Sequence, residues 1–481
     1  MSIYRHGGDC ELRARSFGQK RGTKFTQEKK RGSKKQNKML RRISPILNNE
    51  RSLLKLAARF ASTRSNHGDA RCGVVMSFGD GSHGALGLPP SLTGVGADVY
   101  EPTLVPGLPS NVTAVSAGHY HSLAVTSRGE LWAWGRNEEG QLGRGILAPR
   151  DTWHEPKRVQ SLDQVHVAAA FASGVISAAI GVDGSLWVWG KSKRGQLGLG
   201  PGITEAVVPS RVPSFAGEKI VKVSFGWGHA LARTEDGKLY AWGYSADGRI
   251  GTIGGLVEAS VLDSGGDSVK GDRFEAAEKR VLEGMEKEKE MPIVWEPCLV
   301  EELNGTQVAE VACGLDHSLV ISSDGRLLTS GSNTYGQLGR SNPDMGFFPA
   351  DMELLHASFI AAGLGHSLAI CHETSSSNSS IFSWGWNRSS QLGRMGTEHK
   401  PLPVEALSEE MQPLSVSAGR VHSMALTSGG ELWVWGSGKN GRLGLGSPYD
   451  EQEPAVVDSL EGCEVLQAVA GFDHNLVLVA Q

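Results

Sequence analysis

A segment close to Gly-Gln-Leu-Gly recurs seven times along the chain, starting at Gly84, Gly140, Gly195, Gly248, Gly336, Ser390 and Gly441. Successive copies begin 51 to 56 residues apart, except for one interval of 88 residues between Gly248 and Gly336. A second motif keeps step with the first, a Gly followed three positions later by His: Gly118 with His121, Gly226 with His229, Gly314 with His317, Gly363 with His366, Gly419 with His422 and Gly471 with His474. After Gly174, Ser177 stands in the place of the His. Between the motifs lie short segments such as Leu131-Trp132-Ala133-Trp134-Gly135 and Leu432-Trp433-Val434-Trp435-Gly436. Residues two apart on a strand share a face, so these aromatics pack on one side of a sheet. Short strands and Gly-rich turns repeated at this period imply an all-β protein, a radial array of small antiparallel sheets known as a β-propeller.

The phase of the repeat shows how the ring closes. No Gly-x-x-His unit precedes the first Gly-x-Leu-Gly at Gly84, and no Gly-x-Leu-Gly follows the last Gly-x-x-His at Gly471. The two incomplete halves add up to one blade. Seven blades are therefore expected, with strands around Val74 to Phe78 pairing against those around Val465 to Val479, which removes the free edges an open array would expose.

The combination of Ala-Gly-x-x-His-Ser, a Leu-Trp-x-Trp-Gly strand and Gly-Gln-Leu-Gly resembles the repeat of the regulator of chromosome condensation family, which includes the plant ultraviolet-B photoreceptor. The resemblance covers about residues 72 to 481 and is specific for fold. It is far less specific for function, since one propeller hosts unrelated activities.

Charge divides the chain. Residues 1 to 71 hold 19 Lys/Arg against 5 Asp/Glu, and the remaining residues hold 29 against 47. The expected domains are a basic extension over 1–38, a mitochondrial presequence over 39–71, and the propeller over 72–481. The presequence reading rests on Met39 to Arg64, whose only acid is Glu50. In it Leu53, Leu56, Ala57 and Phe60 share one helical face, with Arg51, Lys55 and Arg59 largely on the other. Residues 1–38 are Lys-rich, and they read either as an extension upstream of initiation at Met39 or as a nuclear or nucleic-acid tail. An acidic propeller disfavours a broad track for a phosphate backbone. No run of about 18 apolar residues is present to span a membrane. The six cysteines form no Cys-x-x-Cys pair, which suits a reducing compartment. Cys313, where sibling repeats carry Ala, reads as a small buried residue.

The recurring motifs read as blade construction. A His in each repeat sits too far from its siblings to share one metal ion, and a hydrogen bond to turn backbone is its expected role. The Gly positions are expected to supply positive φ or room for close backbone approach. No P-loop, zinc spacing or nucleophile and base pair is present, so no catalytic, cofactor or metal site is assigned and no enzyme activity is expected.

The family resemblance implies two further candidates. Light sensing in the photoreceptor uses Gly-Trp-Arg-His-Thr segments. Only Phe225-Gly226-Trp227-Gly228-His229 comes close here, with Gly228 in place of Arg, so photoreception is not expected. Nucleotide exchange on a small GTPase, the activity of the condensation regulator itself, uses acidic residues just before the motif His. Asp316 and Asp473 fit that pattern, separated by two blades.

The long interval holds one insertion, over about 256–292. Its Phe274, Ala277, Val281, Leu282 and Met285 fall along one side of an expected helix that folds back on the propeller or docks a partner. Phe274, Val281, Met285, Asp316 and Asp473 are the candidate partner-binding residues. With the presequence, the resemblance implies a mitochondrial scaffold without enzymatic activity that supports intron splicing and complex I biogenesis through organelle proteins, with at most weak direct RNA binding. The alternative is an exchange factor for a small GTPase or a nuclear chromatin-binding propeller.

Overall fold

The computed structural model describes residues 71–90, 96–145, 150–253, 292–373, 378–406 and 412–481. The extension over 1–38, the presequence over 39–71 apart from Arg71, and the insertion up to Met291, with Phe274, Val281 and Met285, lie outside the described residues.

Among the described residues five four-stranded antiparallel sheets and one of eight strands, in which two blades are joined through the Gly73–Val112 pair, form seven four-stranded blades around a central channel. Blade 1 is built from Val112–Ala117, His121–Thr126, Leu131–Gly135 and Lys157–Arg158, and blade 2 from Val167–Ser173, Ile176–Gly181, Leu186–Lys191 and Glu205–Arg211. Blade 3 comprises Ile220–Phe225, His229–Thr234, Leu239–Tyr244 and Ile293–Leu299, and blade 4 comprises Val308–Cys313, His317–Ser322, Leu327–Gly331 and Phe348–Pro349. Blade 5 contains Leu355–Ala362, His366–Glu373, Ser379–Gly385 and Leu402–Pro403, and blade 6 contains Pro413–Ala418, His422–Thr427, Leu432–Gly436 and Glu451–Val456.

Blade 7 takes strands from both ends of the chain. Val465–Ala470 and His474–Ala480 come from the C-terminal end, and Gly73–Gly79 and Val99–Leu104 from the N-terminal end. Gly73–Gly79 lies against His474–Ala480 in unbroken register, from Gly73 opposite Ala480 to Gly79 opposite His474. The closure expected from the phase of the repeat is thus present, with Val74 opposite Val479 and Phe78 opposite Asn475.

Burial explains the pattern of residues. The second strand of blades 1, 2, 4 and 6 is buried at every position, because neighbouring sheets cover both of its faces. Three of the innermost strands, Val112–Ala117, Pro413–Ala418 and Val465–Ala470, show a buried residue at every third position. The core lies between blades. Leu123, Leu131 and Leu142 of blade 1 form one cluster with Ile176, Ile180 and Leu186 of blade 2, so the propeller is a ring of sheet-on-sheet interfaces. The 88-residue interval opens within blade 3, where Ser245 donates its backbone N–H to Pro292 O at 2.9 Å. Ile253 and Pro292, the described residues that flank the insertion, line one pocket.

Candidate interaction face

The turns that carry Gly-x-x-His all lie at one mouth of the channel. Cys313 lines the channel below them, buried, with its thiol pushed up to about 12 by desolvation. The channel encloses a cavity of about 200 Å³ lined largely by Gly, Ala and Ser.

The motif histidines do not bind their own turns, as the sequence led us to expect. Each Nε2 reaches instead to the neighbouring blade: His121 to Ser177 (2.7 Å), His229 to Ser318 (2.9 Å), His317 to Ser367 (3.0 Å), His366 to Ser423 (3.0 Å), His422 to Asn475 Oδ1 (2.7 Å) and His474 to Ser122 (3.0 Å). Each of those Ser residues donates its own hydroxyl to the carbonyl of the second residue in the Gly-x-Leu-Gly turn of the preceding blade, for example Ser367 to Gln337 O at 2.8 Å. The same carbonyl accepts the buried indole N–H of the next blade, as Trp384 Nε1 donates to Gln337 O at 2.8 Å. With the hydroxyl proton spent on the carbonyl, the imidazole must be the donor, which assigns the Nε2–H tautomer. Desolvation pushes these rings down to about 3 for His121, His317 and His366, to about 4 for His422 and His474, and well below the ordinary value for His229. All six are neutral at physiological pH.

The motif Gly has a steric origin here. A Cβ at Gly118, Gly226, Gly314, Gly363, Gly419 or Gly471 would sit 2.1 to 2.6 Å from Cε1 of the His three residues on. Positive φ belongs instead to the glycines of Gly-x-Leu-Gly.

Blade 2 departs from the pattern. Ile176 pairs with Gly190 as His121 pairs with Gly135, so Ile176 and not Ser177 occupies the His position. Ser177 is the equivalent of Ser122, and Ser173 takes the place of the motif Gly. Across the seam to blade 3, Ala230 stands where other blades have the acceptor Ser. The histidine and its partner are absent together.

The candidate exchange residues are held internally. Asp316 pairs with the buried Arg249. Asp473 accepts from Arg442 Nε at 2.6 Å and from Arg420 at 2.9 Å. Two blades, 5 and 6, separate the Asp316 turn from the Asp473 turn.

What the structure brings together comes from the turns of blades 7, 1, 2 and 3. His119 stacks on Trp227 with centroids 5.7 Å apart and packs against Phe472 at 4.3 Å. Desolvation lowers His119 to about 4, so this cluster is uncharged at neutral pH. Beside it a cleft of about 480 Å³ is lined by His119, Tyr120, Trp227 and Phe472 together with Arg136, Lys191, Lys193, Arg194 and one acid, Glu139, which is paired with Arg136. Its floor is the bare Ser173-Gly174-Val175 turn, and nothing lies within 4 Å of a Cβ built on Gly174. A basic, aromatic cleft on an acidic propeller is not foreseen from overall charge. The local signal was the loop Lys191-Ser192-Lys193-Arg194, more basic than the equivalent loops of sibling blades such as Arg136-Asn137-Glu138-Glu139. Among the described residues no group of His, Cys, Asp and Glu is arranged to hold a metal ion.

The strand order, the double use of the Gly-x-Leu-Gly carbonyl and the His-to-Ser links define a seven-bladed propeller built from one specific repeat. The chain belongs to the RCC1-like domain family, whose model matches residues 74–477. It is 29% identical over 393 residues to the Arabidopsis thaliana ultraviolet-B receptor UVR8, covering 80% of this chain and 78% of that one. It is 28% identical over 405 residues to the Arabidopsis thaliana mitochondrial RCC1 domain-containing protein RUG3, covering 73% and 89%. Among solved structures it superposes on Prp20p of Saccharomyces cerevisiae with a TM-score of 0.67 at 22% identity, covering 86% of this chain and 92% of that one.

Proposed function

We propose that the protein is a mitochondrial interaction scaffold that supports organelle transcript processing, including intron splicing and complex I biogenesis, through protein partners and without catalysis. The observation that carries this reading is the internal use of the repeated imidazole Nε2, hydroxyl and buried indole groups of the motifs. The motif His, Ser and Trp residues are consumed in the seams between blades, and Asp316 and Asp473 are held by arginines. What remains free to serve a partner is loop surface. Similarity to a mitochondrial relative and the Arg-rich segment over 39–64 support the compartment.

Nucleotide exchange is the second reading, favoured by the shared fold with Prp20p, a protein studied for its binding to Gsp1p and histones. It requires Asp316 or Asp473 to leave its guanidinium partner. In a null mutant, some mitochondrial introns should remain unspliced and complex I should fall, and residues 39–64 alone should carry a reporter into mitochondria. Normal splicing of every organelle intron would end the proposal, and accelerated nucleotide release from an organelle GTPase would establish exchange in its place.

A further inference from the structure

The arginines stacked on rings at this mouth differ in one respect. Arg136, over Tyr120 at 5.2 Å, is neutralised by Glu138 at 2.5 Å and Glu139 at 2.6 Å. Arg420, over Phe472 at 5.0 Å, is paired with Asp473, and Arg249, over Tyr244 at 4.8 Å, with Asp247 and Asp316. Arg194 lies 5.6 Å from the Trp227 ring and 6.0 Å from the Tyr244 ring, and among the described residues no carboxylate pairs with it. A guanidinium held over aromatic rings without a carboxylate of its own keeps N–H groups available to a carboxylate from outside.

Gly228 makes this placement possible. A Cβ there would come within 2.7 Å of Arg194 Cδ, so the missing side chain is the space that the arginine stem crosses. The turn thus lacks an arginine of its own and borrows one from the loop of blade 2. Lys191 stands at the same rim, half exposed, with its nearest carboxylate, Glu205, at 3.9 Å.

We propose that this cleft docks an acidic segment of a partner protein, with Arg194 receiving a carboxylate and Lys191 adding charge at the rim. The inference rests on the scaffold reading and names the chemistry of a partner. A protein segment fits better than nucleic acid for two reasons. The sequence holds 29 Lys/Arg against 47 Asp/Glu over 72–481, so a phosphate backbone that runs on beyond the cleft crosses acidic surroundings, which a short acidic segment confined to the cleft does not. His119 and Arg194 also already lie against the Trp227 ring, leaving less of its face for a base.

The test is fluorescence polarisation with the purified full chain and three labelled probes: an eight-residue Asp/Glu peptide, its Asn/Gln counterpart, and a ten-nucleotide oligouridylate. The acidic peptide should bind at least tenfold more tightly than the neutral one, and its affinity should fall as salt rises. Arg194→Glu should lose at least tenfold. Gly228→Ala should lose severalfold while the chain still unfolds cooperatively, because the new Cβ would meet Arg194 Cδ at 2.7 Å and Tyr244 Cβ at 3.0 Å, and the arginine is the more easily displaced. Arg388→Glu, in the equivalent loop of blade 5, should bind as the unaltered protein does. Equal binding of the acidic and neutral peptides, or full binding by Arg194→Glu, would overturn the proposal. So would tighter binding of the oligouridylate that Arg194→Glu abolishes, which would assign the cleft to nucleic acid. None of these outcomes depends on organelle splicing, so this inference and the scaffold reading fail separately.

Discussion

The seam between blades 2 and 3 and the six other seams solve one packing problem in two ways. In the six, a neutral imidazole crosses from one blade to a Ser or Asn of the next, beneath a carbonyl already holding an indole in several blades. In the seventh, Ile176 faces the Ala230 position, and the remaining polar links are Trp242 Nε1 to Gln196 O at 2.7 Å, Gln196 Nε2 to Gly226 O at 2.7 Å and Ser173 Oγ to Phe225 O at 2.8 Å. The polar seam fixes the register of neighbouring blades by directed bonds but buries a titratable ring. The seam without a histidine has no such liability, and the Ser173-Gly174-Val175 turn above it is open at Gly174, where an added Cβ would meet nothing within 4 Å. That open turn is the floor of the basic cleft.

The largest effect should come from removing a seam altogether. Deleting residues 469–481 takes away the strand His474–Ala480, its ladder to Gly73–Gly79 and both seams of blade 7. Cooperative unfolding of the whole propeller should vanish, checked by calorimetry of the soluble fraction. An unchanged melting temperature would mean that the ring does not depend on this closure.

A smaller effect should follow from placing a polar group in the apolar seam. Ile176→His alone drives an imidazole toward the Ser173 Cβ and leaves its N–H facing Ala230, at a cost of about 3 kcal/mol in urea unfolding. Ser173→Gly and Ala230→Ser added together should recover all but about 1 kcal/mol, since Gln196 O has a second lone pair for the new hydroxyl. If the single substitution costs nothing, the absence of the histidine and of its partner is coincidence.

The smallest effect is one of pH. A base whose pKa is lower folded than unfolded contributes stability that is complete above the unfolded value near 6.5 and is lost as pH falls from there toward the folded value. For His366, lowered to about 3 by burial, the loss between pH 7.5 and pH 5 is about 2 kcal/mol. The pair His366→Ile and Ser423→Ala imitates the natural apolar seam. It should unfold in urea near the unaltered protein at pH 7.5 and lose about 2 kcal/mol less on moving to pH 5. An identical acid sensitivity would show that the seam histidines are not what titrates.

Seven blades and the closing strand pair were readable because period and phase are local properties of the chain. A turn such as Gly336-Gln337-Leu338-Gly339 announces itself in four residues. The role of the histidines was not readable in the same way, since His229 and Ser318 are 89 residues apart and His121 and Ser177 are 56 apart. A single sequence offers no rule that joins them. The same limit misplaced blade 2, where Ser177 follows Gly174 at the motif spacing and only strand register reveals that Ile176 holds the His position. Asp316 and Asp473 were legible as acids before a His but not as partners of Arg249, Arg420 and Arg442, which arrive from other turns.

The sequence by itself therefore determined the number of blades, the place where the ring closes and the position of the one long insertion, because strand alternation and turn chemistry act over a few residues at a time. Only the tertiary structure decided which neighbour each histidine binds, why the turn glycines must lack a Cβ, and where cations gather. Those outcomes depend on side chains brought together by closing the ring, as Arg194 of blade 2 is laid across Gly228 of blade 3.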